Sequence, residues 1–405
     1  MKINKTAFTL VELLAVIVVL GLLMVIIIPK VTKSINESEE KVNETNAENL
    51  LNAAIYKATS TPLDENIIVN YETGEGLEQF EYNGKKPEKG FIAILKNGHV
   101  VMAVKIGDNC YIKKYSDTQI IKQKYTSDTC NAPTSFETDT WETIANAVRT
   151  GETEMYNVGD TKTIKIDTTT LERAVFNRYS INQGPIYDYT LRLANKSAPS
   201  KCNENGFSQT ACGFVIEFAD VISYHNMNST SNGGELVNGH GNVGGWPACE
   251  MRQYLNETIY NLLPNDLKSV IVDTNVVSSY GRLESANFES TDKIFLLDLI
   301  ELAGENNYRI NDDSLINHTR QLDYYENLRV TNEESVYYYL SHDRLKKGYY
   351  EGAEPYGMSY IGVPYWLRTA DLSIKNNFGL INYDGEATFQ SSTGYLGVSP
   401  AFKIG

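Results

Sequence analysis

From Phe8 to Ile28 the chain reads FTLVELLAVIVVLGLLMVIII, an apolar run broken only by Thr9, Glu12 and Gly21. Its length is close to the about 20 residues that one helical bilayer crossing needs. No second segment of this kind occurs in the sequence. The leader Met1-Lys2-Ile3-Asn4-Lys5 is basic, and by the positive-inside bias it keeps the N-terminus cytoplasmic and sends the rest of the chain outward. A cleaved secretory signal would show small residues after the apolar run, but Pro29-Lys30-Val31 follows. A lipoprotein reading fails because the first cysteine is Cys110.

The remainder is ordinary folding material. The chain has 405 residues, 42% hydrophobic and 21% charged, enough for two or three domains and incompatible with wholesale disorder. Lys+Arg number 36 against 51 Asp+Glu, a formal charge of -15. Up to residue 60 the charges balance, so all of the excess lies beyond the apolar segment. Such a surface disfavours a nucleic-acid groove and makes DNA a poor partner.

Glu12 needs a reason, since an acidic side chain inside a span costs about 3 kcal/mol on insertion scales. The string Lys5-Thr6-Ala7-Phe8-Thr9-Leu10-Val11-Glu12-Leu13-Leu14 resembles the class III signal of type IV prepilins and pseudopilins. In that family a membrane peptidase cuts before the Phe and the new amine is methylated. The resemblance implies a cut between Ala7 and Phe8, with Glu12 as the fifth mature residue. Ala7 stands where the family usually has Gly; Gly21 and Pro29 sit where its stems usually carry those residues. An amine and a carboxylate in lipid each need a partner. The resemblance therefore implies pairing of one stem's amine with Glu12 of the next, the alternative being a bond from Glu12 to its own N-terminus.

The helical pattern continues through Ile35, Val42, Leu50, Leu51, Ala54 and Ile55 and ends at Thr61-Pro62. One helix over about 8–58 would span about 75 Å, with a bend expected at Pro29. Residues 63–133 hold β-rich runs: Ile67-Ile68-Val69, then Gly90 to Leu95 and His99 to Val104 joined by a Lys96-Asn97-Gly98 turn, a hairpin pattern. Cys110 and Cys130 flank a further strand, Tyr111 to Tyr115. In an exported chain their pairing is the simplest reading, with two free thiols as the alternative. This stretch is similar to the β-sheet head of Gram-positive pilin-like proteins.

A linker at 134–140 precedes a large region, 141–405. Here the pattern predicts a helix over about 247–263, stopped by Pro264, a buried strand over Ser269 to Val277, and a strand at Asp292 to Leu297 leading into a helix near Leu299 to Ala303. A hairpin over Phe378 to Phe389 with an Asp384-Gly385 turn and a last strand from Tyr395 to Ile404 complete it. The runs Cys212-Gly213-Phe214-Val215-Ile216-Glu217-Phe218-Ala219-Asp220, Gly244-Gly245-Trp246-Pro247, Ser290 to Leu297, Tyr365-Trp366-Leu367-Arg368-Thr369 and Gly397 to Phe402 resemble DUF6273, a domain of exported Gram-positive proteins. That resemblance implies a relation to C-type lectin-like and sulfatase-modifying-factor folds. The fold class expected is α+β: a long stem helix, a small antiparallel head and a larger α+β domain.

No catalytic set emerges. His99, His225, His240, His318 and His342 lack H-x-H or H-E-x-x-H spacing, so no zinc site is read, and no cofactor is expected. Formylglycine-generating relatives need a cysteine pair near the C-terminus, whereas the last cysteine is Cys249. Cys202 and Cys212 are close enough for a local bridge worth about 3 kcal/mol, leaving Cys249 as a small core hydrophobe. Glu354-Pro355-Tyr356 and Tyr365-Trp366-Leu367 lack the amides of calcium-dependent lectins, and Asn311-Asp312-Asp313 reads as a loop. The tyrosines at 337–339 and 349–350 suit sheet or core positions, with a recognition surface as the alternative. The expected protein is a noncatalytic minor pilin or pseudopilin, held in the cytoplasmic membrane with its domains outside. Its partners would be a prepilin peptidase, other pilin subunits through the stem, the membrane, and an extracellular glycan or protein. The alternatives are a singly anchored surface binding protein and a competence pseudopilin.

Overall fold

A computed structural model of the chain describes residues 10–60, 62–127, 129–167, 186–229, 241–304, 318–329, 346, 363–383 and 385–405. The chain divides into two compact units, Met1–Thr134 and Ser135–Gly405.

The first unit begins with α1, Leu10–Ser60, with Pro29 inside it. Every large apolar side chain from Leu10 to Ile28 is exposed, Leu10 at 82% and Val25 at 73%. Burial starts only at Ala47 and includes Leu50, Leu51 and Ala54. Ile35, Val42 and Ile55, apolar positions of the same pattern, stay exposed. Five strands follow in a simple meander: β1 Ile67–Asn70, β2 Lys89–Ile94, β3 Val100–Ile106, β4 Asn109–Lys113 and β5 Ile121–Lys124. All four pairings are antiparallel.

Alternation along these strands splits the apolar residues between two faces. Ile92, Ile94, Val100, Met102, Val104, Ile106 and Tyr111 pack with the buried residues of α1. Their neighbours Ala93, Leu95, Val101, Ala103, Cys110 and Ile112 form a second layer with Ala132. The Asn97-Gly98 turn joins β2 to β3, Gly98 adopting φ +87 while Asn97 Oδ1 accepts the His99 N–H. Cys110 and Cys130 are bridged and tether the segment after β5 to β4. Cys110 lies inside β4 rather than before it, because the strand starts at Asn109.

The second unit opens with α2, Trp141–Thr150, a helix the sequence reading did not single out. Thr140 Oγ1 accepts the Thr143 N–H and Gly151, at φ 76, ends it. One sheet has the order β12-β17-β8-β7-β6, formed by β6 Thr161–Asp167, β7 Ile186–Asn195, β8 Val215–Phe218, β12 Ile294–Leu296 and β17 Pro400–Lys403. The other runs β15-β14-β13-β16-β9, from β9 Ser223–His225, β13 Tyr365–Ala370, β14 Asn377–Ile381, β15 Ala387–Ser391 and β16 Leu396–Val398. Among the described residues, only β13 and β16 pair parallel. β10 Thr274–Ser278 and β11 Phe288–Asp292 form a separate antiparallel pair. The class is α+β with antiparallel sheets.

Three expectations change. The last strand is two, because the chain leaves one sheet at Val398, passes Ser399 and enters the other at Pro400. The run 269–277 is a strand only from Thr274; Val270 and Ile271 are buried, but Ile271 makes a single bridge to Ile404. The helix expected over 247–263 breaks at Cys249, which is extended. It restarts at Glu250, whose N–H is taken by Asn228 Oδ1 at 2.9 Å, and passes through a π-helical stretch, Tyr254–Ile259. There Asn256 Oδ1 accepts the N–H groups of Lys293 and Ile294, locking the helix to the start of β12.

Candidate functional site

Two places carry groups that a plain scaffold would not need: the stem and the buried charges of the second unit. Ala7 and Phe8 lie outside the described residues. Glu12 sits in the first turns of α1 among exposed Leu10, Val11, Leu13 and Leu14. From Leu10 to Ile28 the helix covers about 28 Å, close to the hydrocarbon thickness of a bilayer. Gly21 lies within it, and a Cβ there would meet nothing within 4 Å. A helix-interior Gly costs about 1 kcal/mol relative to Ala, and no contact with the described residues requires it.

The first ionic centre is built on Glu217 of β8, fully buried. Arg192 of β7 donates to Glu217 Oε1 from Nη2 at 2.7 Å and Nε at 3.0 Å. Lys346 Nζ donates to Oε2 at 2.6 Å, and Tyr325 OH lies 2.9 Å from the same oxygen. Lys346 also donates to Phe218 O and Ser399 Oγ, which fills its three donors. Arg192 stacks on Tyr324, its guanidinium carbon 4.0 Å from the ring centre. Burial alone would raise the Glu217 pKa, but the Arg192 and Lys346 charges bring it down. Burial lowers that of Lys346 against the pull of Glu217. Burial, with the Glu217 charge, holds the Tyr325 hydroxyl protonated far above its usual range.

The second centre pairs Arg368 of β13 with Glu301 by two bonds, 2.6 and 2.7 Å, both side chains sealed from solvent. Thr210 and Thr319 also donate to Glu301. Glu301 Oε2 closes a capping box with Asp298, which caps the helix Leu299–Ala303 and faces His318 at 3.4 Å. Burial would raise Asp298, but the His318 charge draws it down to about 2. Nearby in sequence, Trp246 Nε1 and Arg252 Nε both donate to Asp292. In both centres the carboxylates are held by fixed donors. Such groups hold elements together.

The expected cysteine pairs are both bridged, Cys202–Cys212 across ten residues and Cys110–Cys130 across twenty. Cys249 is free and buried, and burial pushes its thiol up to about 12, leaving it an inert hydrophobe. Trp366 and Arg368 are fully buried. Among the described residues, no three His, Cys, Asp or Glu side chains converge as metal ligands. His240, His342, Asn311 to Asp313, the tyrosines at 337–339 and 349–350, Glu354-Pro355-Tyr356 and Asp384 lie outside those residues. The sequence reading missed the role of Glu217, although an acid inside the apolar run Phe214 to Phe218 was a signal. Nothing around Lys346 announced its burial.

The comparisons speak to the second unit. Residues 224–405 match the family model described as Domain of unknown function (DUF6273). These residues therefore carry a DUF6273 domain. The match starts at residue 224, not 141, so the run Cys212 to Asp220 falls outside it. The structural unit is nonetheless larger than the matched domain, because β8 lies between β17 and β7 in one sheet. No curated protein and no solved structure matches the chain.

Proposed function

We propose that the chain is a minor subunit of a type IV-like filament or competence pseudopilus, a noncatalytic protein that displays its DUF6273 unit outside the cell. The observation carrying this reading is one helix that is wholly exposed and apolar over 10–28, holds the carboxylate of Glu12 in its first turns, and enters the core of a small sheet at Ala47. Such a helix satisfies its own backbone in lipid, the missing side chain of Gly21 leaves room for a close-packed neighbouring helix, and an acidic residue such as Glu12 within a span marks a function or a partner. The leader residues supply the rest, with cleavage after Ala7 and methylation of Phe8 by a prepilin peptidase. Two disulfides fit an oxidising exterior. The second unit takes its place in this reading as an adhesin-like module, of a kind akin to C-type lectin-like folds. The acidic balance beyond residue 60 favours a surface glycan or protein as ligand over DNA.

The test is mechanical shearing of cells that express the chain. The protein is expected in the sheared filament fraction together with other pilin subunits. Retention of all of it in the membrane fraction would leave a singly anchored surface protein instead.

A further inference from the structure

The three five-stranded sheets end on β1 and β5, on β12 and β6, and on β15 and β9. A sheet edge is a row of N–H and C=O groups open to another strand, and proteins blunt it with charge, shortness or cover. β5 carries Lys122 and Lys124, and β6 carries Lys162, Lys165 and Asp167. Gly76 lies against the carbonyl of Ile68 in β1. β9 and β12 have three residues each. Among the described residues, β15 shows none of these devices. It reads Ala387-Thr388-Phe389-Gln390-Ser391, a run without a charge, with Gln390 and Ser391 exposed and Phe389 half-buried.

The register of β15 decides which of its groups face outward. Leu380 of β14 lies opposite Thr388. The bonds from Ser392 N–H to Asn376 O at 2.7 Å and from Asn382 N–H to Glu386 O at 2.8 Å continue that register at both ends. Antiparallel pairs alternate between bonded and non-bonded. Residues 386, 388, 390 and 392 therefore bond to β14, and the main-chain groups of Ala387, Phe389 and Ser391 point away from it. Ser391 O is taken by the Gly394 N–H at 2.8 Å. Ala387 and Phe389 each present an N–H and a C=O on the outward side.

We infer that β15 is an interaction surface for a second copy of this chain, β15 adding to β15 antiparallel about a two-fold axis at Thr388. In that register Ala387 of each copy faces Phe389 of the other, and each such pair exchanges both of its N–H···O=C bonds. Glu386 falls opposite Gln390, so no acid meets an acid. That matters in a chain of formal charge -15, because like charges directly opposite destabilise a sheet. β5 paired with itself about Gln123 would instead set Lys122 against Lys124. The contact is isologous and closes on itself. A strand edge alone falls short of the about 1,200 Å² of a standard interface, so the dimer expected is weak. The inference is independent of the filament reading.

The experiment uses the full chain in detergent. Hydrogen exchange of the wild-type chain is compared at low and high protein concentration. The amides of Ala387 and Phe389 are expected to slow at least about threefold at the higher one, while those of Thr388 and Gln390, bonded to β14, stay constant. Cysteine pairing reads the register. A non-bonded antiparallel pair has Cα atoms about 4.5 Å apart, within disulfide reach, so Thr388→Cys is expected to give a covalent dimer on mild oxidation. Gln390→Cys, which faces Glu386 of the other copy, is expected to give at least about tenfold less. Cys249 is buried and the other cysteines are bridged, so no native thiol competes. Phe389→Pro removes an N–H that β14 does not use, a change that an edge strand tolerates. Added to Thr388→Cys, it is expected to abolish the cross-link with the unfolding midpoint unchanged. Exchange at Ala387 and Phe389 that ignores concentration, equal cross-linking of the two cysteine variants, or a cross-link that survives Phe389→Pro would overturn the inference.

Discussion

Glu217→Ala is expected to destabilise the second unit by about 3–5 kcal/mol, the cost of leaving buried charges uncompensated. Arg192 and Lys346 would then face each other with no anion between them, and Tyr325 would lose its acceptor. Against a domain stability of about 5–15 kcal/mol, that loss puts much of the unit's reserve at risk. Lys346→Met gives the contrasting case. Arg192 still neutralises Glu217, and Ser399 Oγ still donates to Phe218 O at 3.0 Å, so its cost is expected to be about 1 kcal/mol or less. Denaturant unfolding of the full chain, followed by tryptophan emission, reads both; all three tryptophans lie in the second unit. Equal losses for the two variants would refute the centre as described. Acid acts in the same direction. Asp298 and Glu217 both have folded pKa values lowered by their partners, so the stability they supply is present at neutral pH and is lost as pH falls below about 4.

Glu12→Ala is expected to leave insertion intact, since it removes a carboxylate that costs about 3 kcal/mol within a span. Its effect is expected in assembly. If the methylated amine of Phe8 in one subunit pairs with Glu12 of another, the variant loses the partner of a buried ammonium and drops at least about tenfold in sheared filaments. Membrane levels should equal wild type. The comparison is a quantitative blot of both fractions, and wild-type amounts of the variant in filaments would remove Glu12 from assembly.

The fold was readable where a local rule has one solution. The apolar run and its continuation appear as α1, the Asn97-Gly98 turn joins β2 to β3, and β14 and β15 form the closing hairpin. Reading failed where tertiary contacts decide. Asn228 sets the break at Cys249 by capping Glu250, and Val270 and Ile271 are buried as a connection despite their β-branched neighbours. The passage of β16 into β17 between sheets follows from pairings with β9 and β12, about 170 and 100 residues earlier in the chain. The candidate sites divide the same way. Glu12 stands out in the sequence because lipid admits few explanations for a carboxylate. The partners of Glu217 come from three distant segments.

The most direct measurement is the mass of the N-terminal peptide from chain recovered in the membrane or in filaments. The account predicts a mature protein that begins at Phe8 with a methylated α-amine, Met1 to Ala7 having been removed. A membrane-localised chain that retains Met1, or that starts beyond Ile28, would contradict it.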